Sequence, residues 1–257
     1  MLLEGKNLAE FIKERHYQQM RSFERVPKLA IIHASSDPAT GSYLKAKQAY
    51  GQDLGIAVEV HEPARKTEAI LELIKKLNRD DSIDGIVVQL PLEKGIATDE
   101  VIGAIEPHKD IDGLGPKSKF DPATPTAILW LLSSYQINHK DKLVTVVGQG
   151  RLVGEPISRM LQDSGATVIC CDEDTKDLKS ETLKADIVVT ATGQKNLIKP
   201  GMVKEGAVVI DASGDVDPKL FENESLKITP TPGGVGPVTV TVLFDNLLRA
   251  AQVGRQI

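Results

Sequence analysis

Cysteine is nearly absent from this chain. Of 257 residues only Cys170 and Cys171 carry thiols, and they are neighbours in sequence. Adjacent cysteines cannot staple distant segments or supply the spaced pairs of a zinc knuckle. A disulfide framework and a structural metal site are therefore not expected, and a reducing cytoplasm is the natural compartment. Long apolar runs are also missing. No stretch approaches the ~20 apolar residues that span a bilayer, and Met1 to Glu10 contain no apolar core of signal-peptide length. The expectation is a soluble protein with no membrane partner. Positive charge is not in surplus either: 31 Lys and Arg face 36 Asp and Glu, a formal net charge of −5. Duplex binding draws on a basic excess, so nucleic acid is not an expected partner. A local basic pocket for an anionic ligand stays open. There is no internal repeat and no low-complexity segment.

What is present is an alternation of short β-branched runs and longer helical ones. The 41% hydrophobic share over this length is enough for one large domain or two ordinary ones. Residues 28–33 (KLAIIH), 56–61 (IAVEVH) and 85–90 (GIVVQL) read as strands. Residues 40–54, stopped by Gly55, and residues 67–77, with Ile70, Leu73 and Leu77 on one face, read as helices. This βαβαβ series implies a covered, mostly parallel sheet. Residues 110–125 break the pattern with Asp, Gly, Pro and Lys, and a helix is expected over 126–135. The alternation restarts with strands at 143–147, 167–171, 187–190 and 207–210, a helix at about 155–163 and a terminal helix over 239–251. Two α/β domains follow, divided near residues 113–125, and the terminal helix could pack on either.

The turn after the first strand of the second series reads Gly148-Gln-Gly150-Arg-Leu-Val-Gly154-Glu-Pro156. The spacing G-x-G-x-x-x-G sets the last glycine one position later than the dinucleotide fingerprint does. The physics is the same: Gly148 permits a tight turn, Gly150 lets backbone approach a pyrophosphate, and helix N–H groups face the phosphates. A glycine turn without a ligand is the alternative. The context favours a dinucleotide, because the motif opens a βαβ unit and the next strand ends in Cys171-Asp172, where a carboxylate can read a ribose diol.

Three further features bear on chemistry. Tyr43 and Lys47 are four apart and share a helix face, which by itself is usually surface decoration. Gln89 is the one polar side chain at the end of an apolar strand, where open α/β sheets place ligand groups, or else a loop cap. Asp110 and Asp112 flank Ile111 before Gly113, either a site or an ordinary turn. Residues 230–237 (PTPGGVGP) form a shaped loop or a hinge.

Together these segments resemble one family. The carriers are Pro38-Ala-Thr-Gly-Ser-Tyr43-Leu-Lys-Ala-Lys47 with Gly55-Ile56, Asp84-Gly-Ile-Val-Val-Gln89-Leu-Pro-Leu92, Lys109-Asp-Ile-Asp112-Gly113, the turn from Val146 to Pro156, and Pro232-Gly-Gly-Val-Gly-Pro-Val-Thr239. They are similar, in order, to the motifs of the bifunctional methylenetetrahydrofolate dehydrogenase/methenyltetrahydrofolate cyclohydrolases. The resemblance implies an α/β fold of two domains. One is an N-terminal folate-binding domain (1–121) to which a C-terminal helix (238–257) returns; the other is a Rossmann-type dinucleotide domain (122–237). It implies hydride transfer from 5,10-methylenetetrahydrofolate to NAD or NADP, then hydrolysis of the methenyl product to 10-formyltetrahydrofolate. Lys47 matches the key catalytic lysine, Tyr43 the tyrosine that packs on the folate rings, Gln89 the glutamine bonded to the lysine, and Asp112 the aspartate that holds the pterin. Leu90, Pro91, Gly113, Pro232, Gly233 and Gly234 complete the implied folate contacts. Gly148, Gln149, Gly150, Arg151, Val153, Asp172, Thr175, Ala191, Thr192, Gly193 and Thr239 make the implied cofactor set. The family further implies a cytoplasmic homodimer in one-carbon metabolism and purine biosynthesis.

The chain also departs from the family. Gln149-Gly150 replaces an Arg-Ser pair, Cys171-Asp172-Glu173 replaces Cys-His-Ser, and residues 114–119 are a shortened, altered form of an Asn-containing segment. Residues 123–127 (ATPTA) replace Cys-Thr-Pro-x-Gly, and residues 210–215 (IDASGD) replace Asp-x-Gly-Ile-Asn. The neutral Gln149, the bare Gly150 and the acidic run from Asp172 to Asp174 point to NAD over NADP, since a carboxylate accepts from a ribose diol and repels a 2′-phosphate. Arg151 and Lys176 are the cations that could reverse this. Other readings stay open: a cyclohydrolase with impaired dehydrogenase activity, a Rossmann dehydrogenase for a small acid or amino acid, or a non-catalytic folate or nucleotide sensor. The Tyr43, Lys47, Gln89 and Asp112 set disfavours the last two.

Overall fold

The computed structural model describes residues 1–253. They fold into two compact α/β units. One contains Ile12–Ala123 and the chain from Val240 on; the other contains Met1–Phe11 and Thr124–Thr239. The terminal helix thus joins the first unit from Val240, while residues 254–257 of the segment expected there lie outside the described residues. Residues 1–11 differ from the expected division. Leu2 bridges Ile228 in parallel and the Leu3 N–H donates to the Ile228 carbonyl at 2.8 Å, so the extended N-terminus is an added edge of the second unit.

The first unit is built on a parallel sheet of β1 (Lys28–Ile32), β2 (Ala57–His61) and β3 (Gly85–Val88), in the order β2-β1-β3. Leu29 to Ile32 are fully buried, as a strand covered on both faces requires. α1 (Lys6–Met20), which enters this unit at Ile12, precedes β1; α2 (Pro38–Leu54) and α3 (Thr67–Arg79) join the strands; and α4 (Thr98–Gly103) follows β3. In α3, Ile70, Ile74 and Leu77 recur at helical spacing and pack with Ile32, Ile86, Val88 and Val101. Each such buried aliphatic contributes about 1.5–3 kcal/mol. Lys109 ends α3: its ammonium donates to the carbonyls of Leu77, Asn78 and Asp80 at 2.9–3.0 Å, satisfying acceptors that a helix end leaves unpaired.

The second unit takes up the chain again with α5 (Ala123–Ser134), from Thr124 on. It holds β4 (Leu143–Val147), α6 (Gly154–Asp163), β5 (Thr167–Cys171), α7 (Leu178–Lys184), β6 (Ile187–Thr190), β7 (Val208–Asp211) and β8 (Lys227–Ile228). All five strands are parallel, in the order β5-β4-β6-β7-β8. The chain leaves β4 to one side for β5 and returns on the other for β6. This places a topological switch point at the C-terminal ends of β4 and β6, where open α/β sheets bind ligands. The last helix, α8, spans Val235–Val253. Within the first unit it lays Phe244 against Tyr50, ring centroids 4.8 Å apart.

Candidate active site

In the first unit, the middle of α2, the end of β3 and the loop before α5 bring Lys47, Gln89 and Asp112 together. α2 carries Tyr43 and Lys47 on one face, as their spacing requires. Lys47 is 8% exposed, and its ammonium nitrogen donates to Oε1 of Gln89 at 3.0 Å. Gln89 follows β3 and is 7% exposed; its backbone N–H is held by Ile32 O at 2.9 Å and its amide nitrogen donates to Leu90 O at 3.2 Å. The amide group is thus fixed at both ends. Leu90-Pro91 is a cis peptide bond, and Pro91 is exposed at the mouth of this loop.

Burial pushes the Lys47 ammonium below the ordinary lysine range, and the negative charge of Asp112 works against that shift. Burial likewise raises the Asp112 carboxyl, opposed by Lys47. The charge of each group thus opposes the shift that burial imposes on the other. Tyr43 is 54% exposed, presenting its ring rather than burying it.

The Asp112 loop is built with care. Asp110 Oδ2 accepts the Gly115 N–H at 2.7 Å, and Ser118 donates to Asp110 O. Gly113 has φ +73, and a Cβ there would meet the Asp121 carbonyl at 2.6 Å, so only glycine turns the chain at this point. Asn246 on α8 donates its amide to Ile111 O at 3.0 Å and to Asp121 O at 3.3 Å. This clasps both flanks of the loop. Sequence reasoning missed Asn246; a buried polar residue in the apolar stretch of residues 240–251 is the signal that could have found it.

In the second unit, the glycine turn occupies the end of β4 at the switch point. Gly148 has φ +91, and a Cβ on it would meet Ala191 O and Thr192 Cγ2 at 2.8 Å. At Gly154 a Cβ would strike the Gly148 carbonyl at 1.7 Å, so this glycine supplies the close helix–strand packing. Gly150 is different: a Cβ there would meet nothing within 4 Å, so its face looks onto open space. These three positions fit a dinucleotide's pyrophosphate: two glycines shape the turn and the third leaves room beside backbone N–H groups. Gln149 does not project. Its amide nitrogen donates to Val146 O and Gly148 O, both at 3.2 Å. Val153 precedes α6 with no side-chain cap, and Arg151 is exposed in the turn. Asp172 is exposed at the end of β5; its Oδ1 accepts from the Asp174 N–H at 3.1 Å and from the Thr175 hydroxyl at 3.2 Å. The segment Ala191-Thr192-Gly193 follows β6, and the Ala191 N–H is held by Val147 O at 2.9 Å.

Pro232, Gly233 and Gly234 belong to the second unit, and Lys47 to the first. Their loop is anchored by Gly5, whose N–H donates to Gly233 O at 2.8 Å. Thr239 turns its hydroxyl back to Val235 O at 3.3 Å. No cluster of His, Cys, Asp or Glu suited to a metal ion exists among the described residues. Nor is any described helix long and apolar enough to cross a membrane.

A doubly wound parallel unit with a glycine turn at its switch point, in one chain with an α/β unit that buries a Lys–Gln pair, defines a two-domain α/β enzyme of the dinucleotide-binding class. Comparison with known proteins is specific. Residues 3–112 match the tetrahydrofolate dehydrogenase/cyclohydrolase catalytic domain, and residues 122–255 match the NAD(P)-binding domain of the same family. The bifunctional protein FolD of Francisella philomiragia is 42% identical over 276 residues, covering 98% of each chain. The crystal structure of the bifunctional FolD dehydrogenase/cyclohydrolase of Campylobacter jejuni superposes with a TM-score of 0.91 at 36% identity, covering 98% of this chain and 99% of that one. The Trypanosoma brucei enzyme, solved with NADP cofactor and inhibitor, gives 0.93 at 28% identity over 100% and 99%.

The chain belongs to the tetrahydrofolate dehydrogenase/cyclohydrolase family. It is a bifunctional enzyme that oxidises 5,10-methylenetetrahydrofolate to the methenyl compound with a nicotinamide dinucleotide and hydrolyses that compound to 10-formyltetrahydrofolate.

Proposed function

We propose that Lys47 is the base of the cyclohydrolase step and that Asp112, Tyr43 and Gln89 set up its substrate and its proton. The observation that carries this reading is the burial of Lys47 against Gln89 with its basicity lowered. An ordinary lysine is protonated at neutral pH and cannot accept a proton; a desolvated one can. The methenyl substrate is itself a cation, and its arrival favours the neutral amine further.

The step divides as follows. Lys47, neutral, takes a proton from water as its oxygen bonds the methenyl carbon. The resulting carbinolamine then breaks its bond to N5, which receives that proton back from Lys47, while the hydroxyl proton passes to solvent as the C=O bond forms, and the carbon remains on N10 as a formyl group. Gln89 occupies one N–H of Lys47 and so aims the lone pair. Asp112 accepts in parallel from N–H groups of the pterin edge, and the exposed Tyr43 ring offers a flat platform for the pterin. Leu90, Pro91 and Gly113 line the same loop ends.

The dinucleotide, when bound, accepts the hydride of the first step. We place its pyrophosphate over Gly148, Gln149 and Gly150, with Arg151 and Val153 leading into α6. Asp172 and Thr175 read the adenosine ribose, and Ala191, Thr192, Gly193 and Thr239 attend the nicotinamide side. NAD is the preferred form: Gln149 is committed to strand-end carbonyls, Gly150 has no side chain, and Asp172 stands where a 2′-phosphate would need a cation. The setting we infer is a cytoplasmic homodimer in one-carbon metabolism, with purine assembly as a consumer of the formyl group. The test of the central role is hydrolysis of the methenyl compound by Lys47→Met, which should be lost with the fold intact.

A further inference from the structure

Two carboxylates at the end of β7 have no role in the site above, and both are buried: Asp211 is 3% exposed and Asp215 0%. A carboxylate is tolerated there only if hydrogen bonds replace its water. Asp211 takes them from its own loop. Its Oδ1 accepts the N–H groups of Ser213 at 3.1 Å, Gly214 at 2.7 Å and Asp215 at 3.0 Å, and Oδ2 accepts that of Val216 at 3.3 Å. The loop is thereby coiled tightly, and Asp215 reaches the segment that follows β6.

That segment is where Asp215 finds its partners. Its Oδ2 accepts from the Thr192 N–H at 2.7 Å and from the Thr190 hydroxyl. Its Oδ1 accepts from the Ser213 hydroxyl at 2.9 Å, and that hydroxyl accepts from the Gly193 N–H at 3.1 Å. One carboxylate therefore fixes three donors between residues 190 and 193, two directly and one through Ser213. The held segment packs so closely on Gly148 that no Cβ fits between them. Its position sets the shape of the switch-point crevice on the β6 side.

We propose that Asp215 is a positioning residue for the nicotinamide dinucleotide, acting by holding the Ala191–Gly193 segment against the Gly148 turn. This rests on reading those two segments as the cofactor site. An amide offers one acceptor oxygen; the carboxylate here serves three donors. The hydroxyls of Thr190 and Ser213 can rotate to accept from an amide, but the Thr192 N–H cannot, so an Asn at this position keeps the bond that matters most.

The experiment measures Michaelis constants for the cofactor, cofactor-free hydrolysis of the methenyl compound, and thermal stability. It uses the full chain and its Asp215→Ala, Asp215→Asn, Ser213→Ala and Gly150→Val variants. Asp215→Ala should raise the cofactor Michaelis constant about tenfold or more, the loss of a charge-assisted hydrogen bond to a wall of the site, with hydrolysis within about twofold of wild type. Asp215→Asn should recover most of that loss. The exposed Ser213→Ala should raise the constant a few-fold, and it decides the matter if Asp215→Ala does not fold. Wild-type cofactor constants in both Asp215→Ala and Ser213→Ala, or an equal loss of both activities in Asp215→Ala, would overturn the proposal. Gly150→Val places methyl groups in the open space of the turn. If it raises the cofactor constant while the Asp215 and Ser213 variants do not, only the role of Asp215 fails. If it too has no effect, the cofactor reading itself fails.

Discussion

Lys47 and Gln89 are 42 residues apart in sequence, and the lysine ammonium meets the glutamine Oε1 at 3.0 Å in a buried setting. That contact, with the charge of Asp112 acting on the same nitrogen, gives the enzyme a pH signature. Burial lowers the Lys47 pKa from its ordinary 10.5 and Asp112 partly restores it. Hydrolysis should therefore rise with pH through an apparent pKa below the ordinary lysine range. Asp112→Asn removes the restoring charge, so the limb should move to lower pH. The sign for stability follows from linkage. Between the lowered native pKa and 10.5 the unfolded chain binds the extra proton, so Lys47's contribution to stability rises with pH there. Below the native pKa its burial is a full penalty, which Lys47→Met relieves. A pH–rate profile that does not move in Asp112→Asn would mean that the Asp112 charge does not act on Lys47.

Asp112→Ala should weaken folate binding and leave dinucleotide binding unchanged. The carboxylate is in the unit of residues 12–123, whereas the Gly148 turn is in the other. Losing a charge-assisted hydrogen bond costs about 1.5–3 kcal/mol, roughly one to two decades in affinity. Titrating the purified variant with each ligand separately checks both halves, and unaltered folate affinity would contradict the assignment.

Gly154→Ala should cripple cofactor binding and lower stability. Its Cβ would sit 1.7 Å from the Gly148 carbonyl, a clash with backbone that no rotamer change relieves. Overpacking of this kind costs about 1–3 kcal/mol or more. Urea unfolding together with a cofactor titration reads both effects. A variant with wild-type midpoint and affinity would mean that the turn is not held as described.

Much of this was legible in the sequence, for identifiable reasons. Leu29 to Ile32 announce β1 because a doubly covered strand must be continuously apolar. The spacing of Ile70, Leu73 and Leu77 announces α3 because one helix face meets the core; the buried stripe itself runs through Ile70, Ile74 and Leu77, with Leu73 at its partly buried margin. The glycine turn was readable because Gly148 and Gly154 answer to backbone geometry that no other residue meets. α1 was not foreseen: in its charged sequence only Ile12 and His16 are buried, so no apolar stripe marks it. β8 is two residues long and draws its pairing from β7 and the N-terminus. The Lys47–Gln89 pair came only through resemblance, since spacing does not reveal a contact made by tertiary folding. For the same reason Asp215 passed as a mere departure from a motif; its partners lie 23 and 25 residues back in the chain.

The cofactor preference is a sharper test of the second unit. Steady-state kinetics with NAD and NADP should favour NAD in turnover over Michaelis constant. Asp172→Ser should narrow the difference, because removing the carboxylate removes the repulsion of a 2′-phosphate. A clear advantage for NADP would assign the phosphate to Arg151 or Lys176 instead, and Arg151→Ala and Lys176→Ala would show which by abolishing that advantage.

The most direct measurement is the rate at which purified Lys47→Met hydrolyses 5,10-methenyltetrahydrofolate, followed by the loss of its absorbance and set beside the thermal stability of the variant. Methionine keeps the length of the chain and removes the base. The account predicts a fall of about 100-fold or more, the usual worth of a general base, in a protein that melts no lower than the parent at neutral pH. Hydrolysis at the parent rate by a folded Lys47→Met would take Lys47 out of the mechanism.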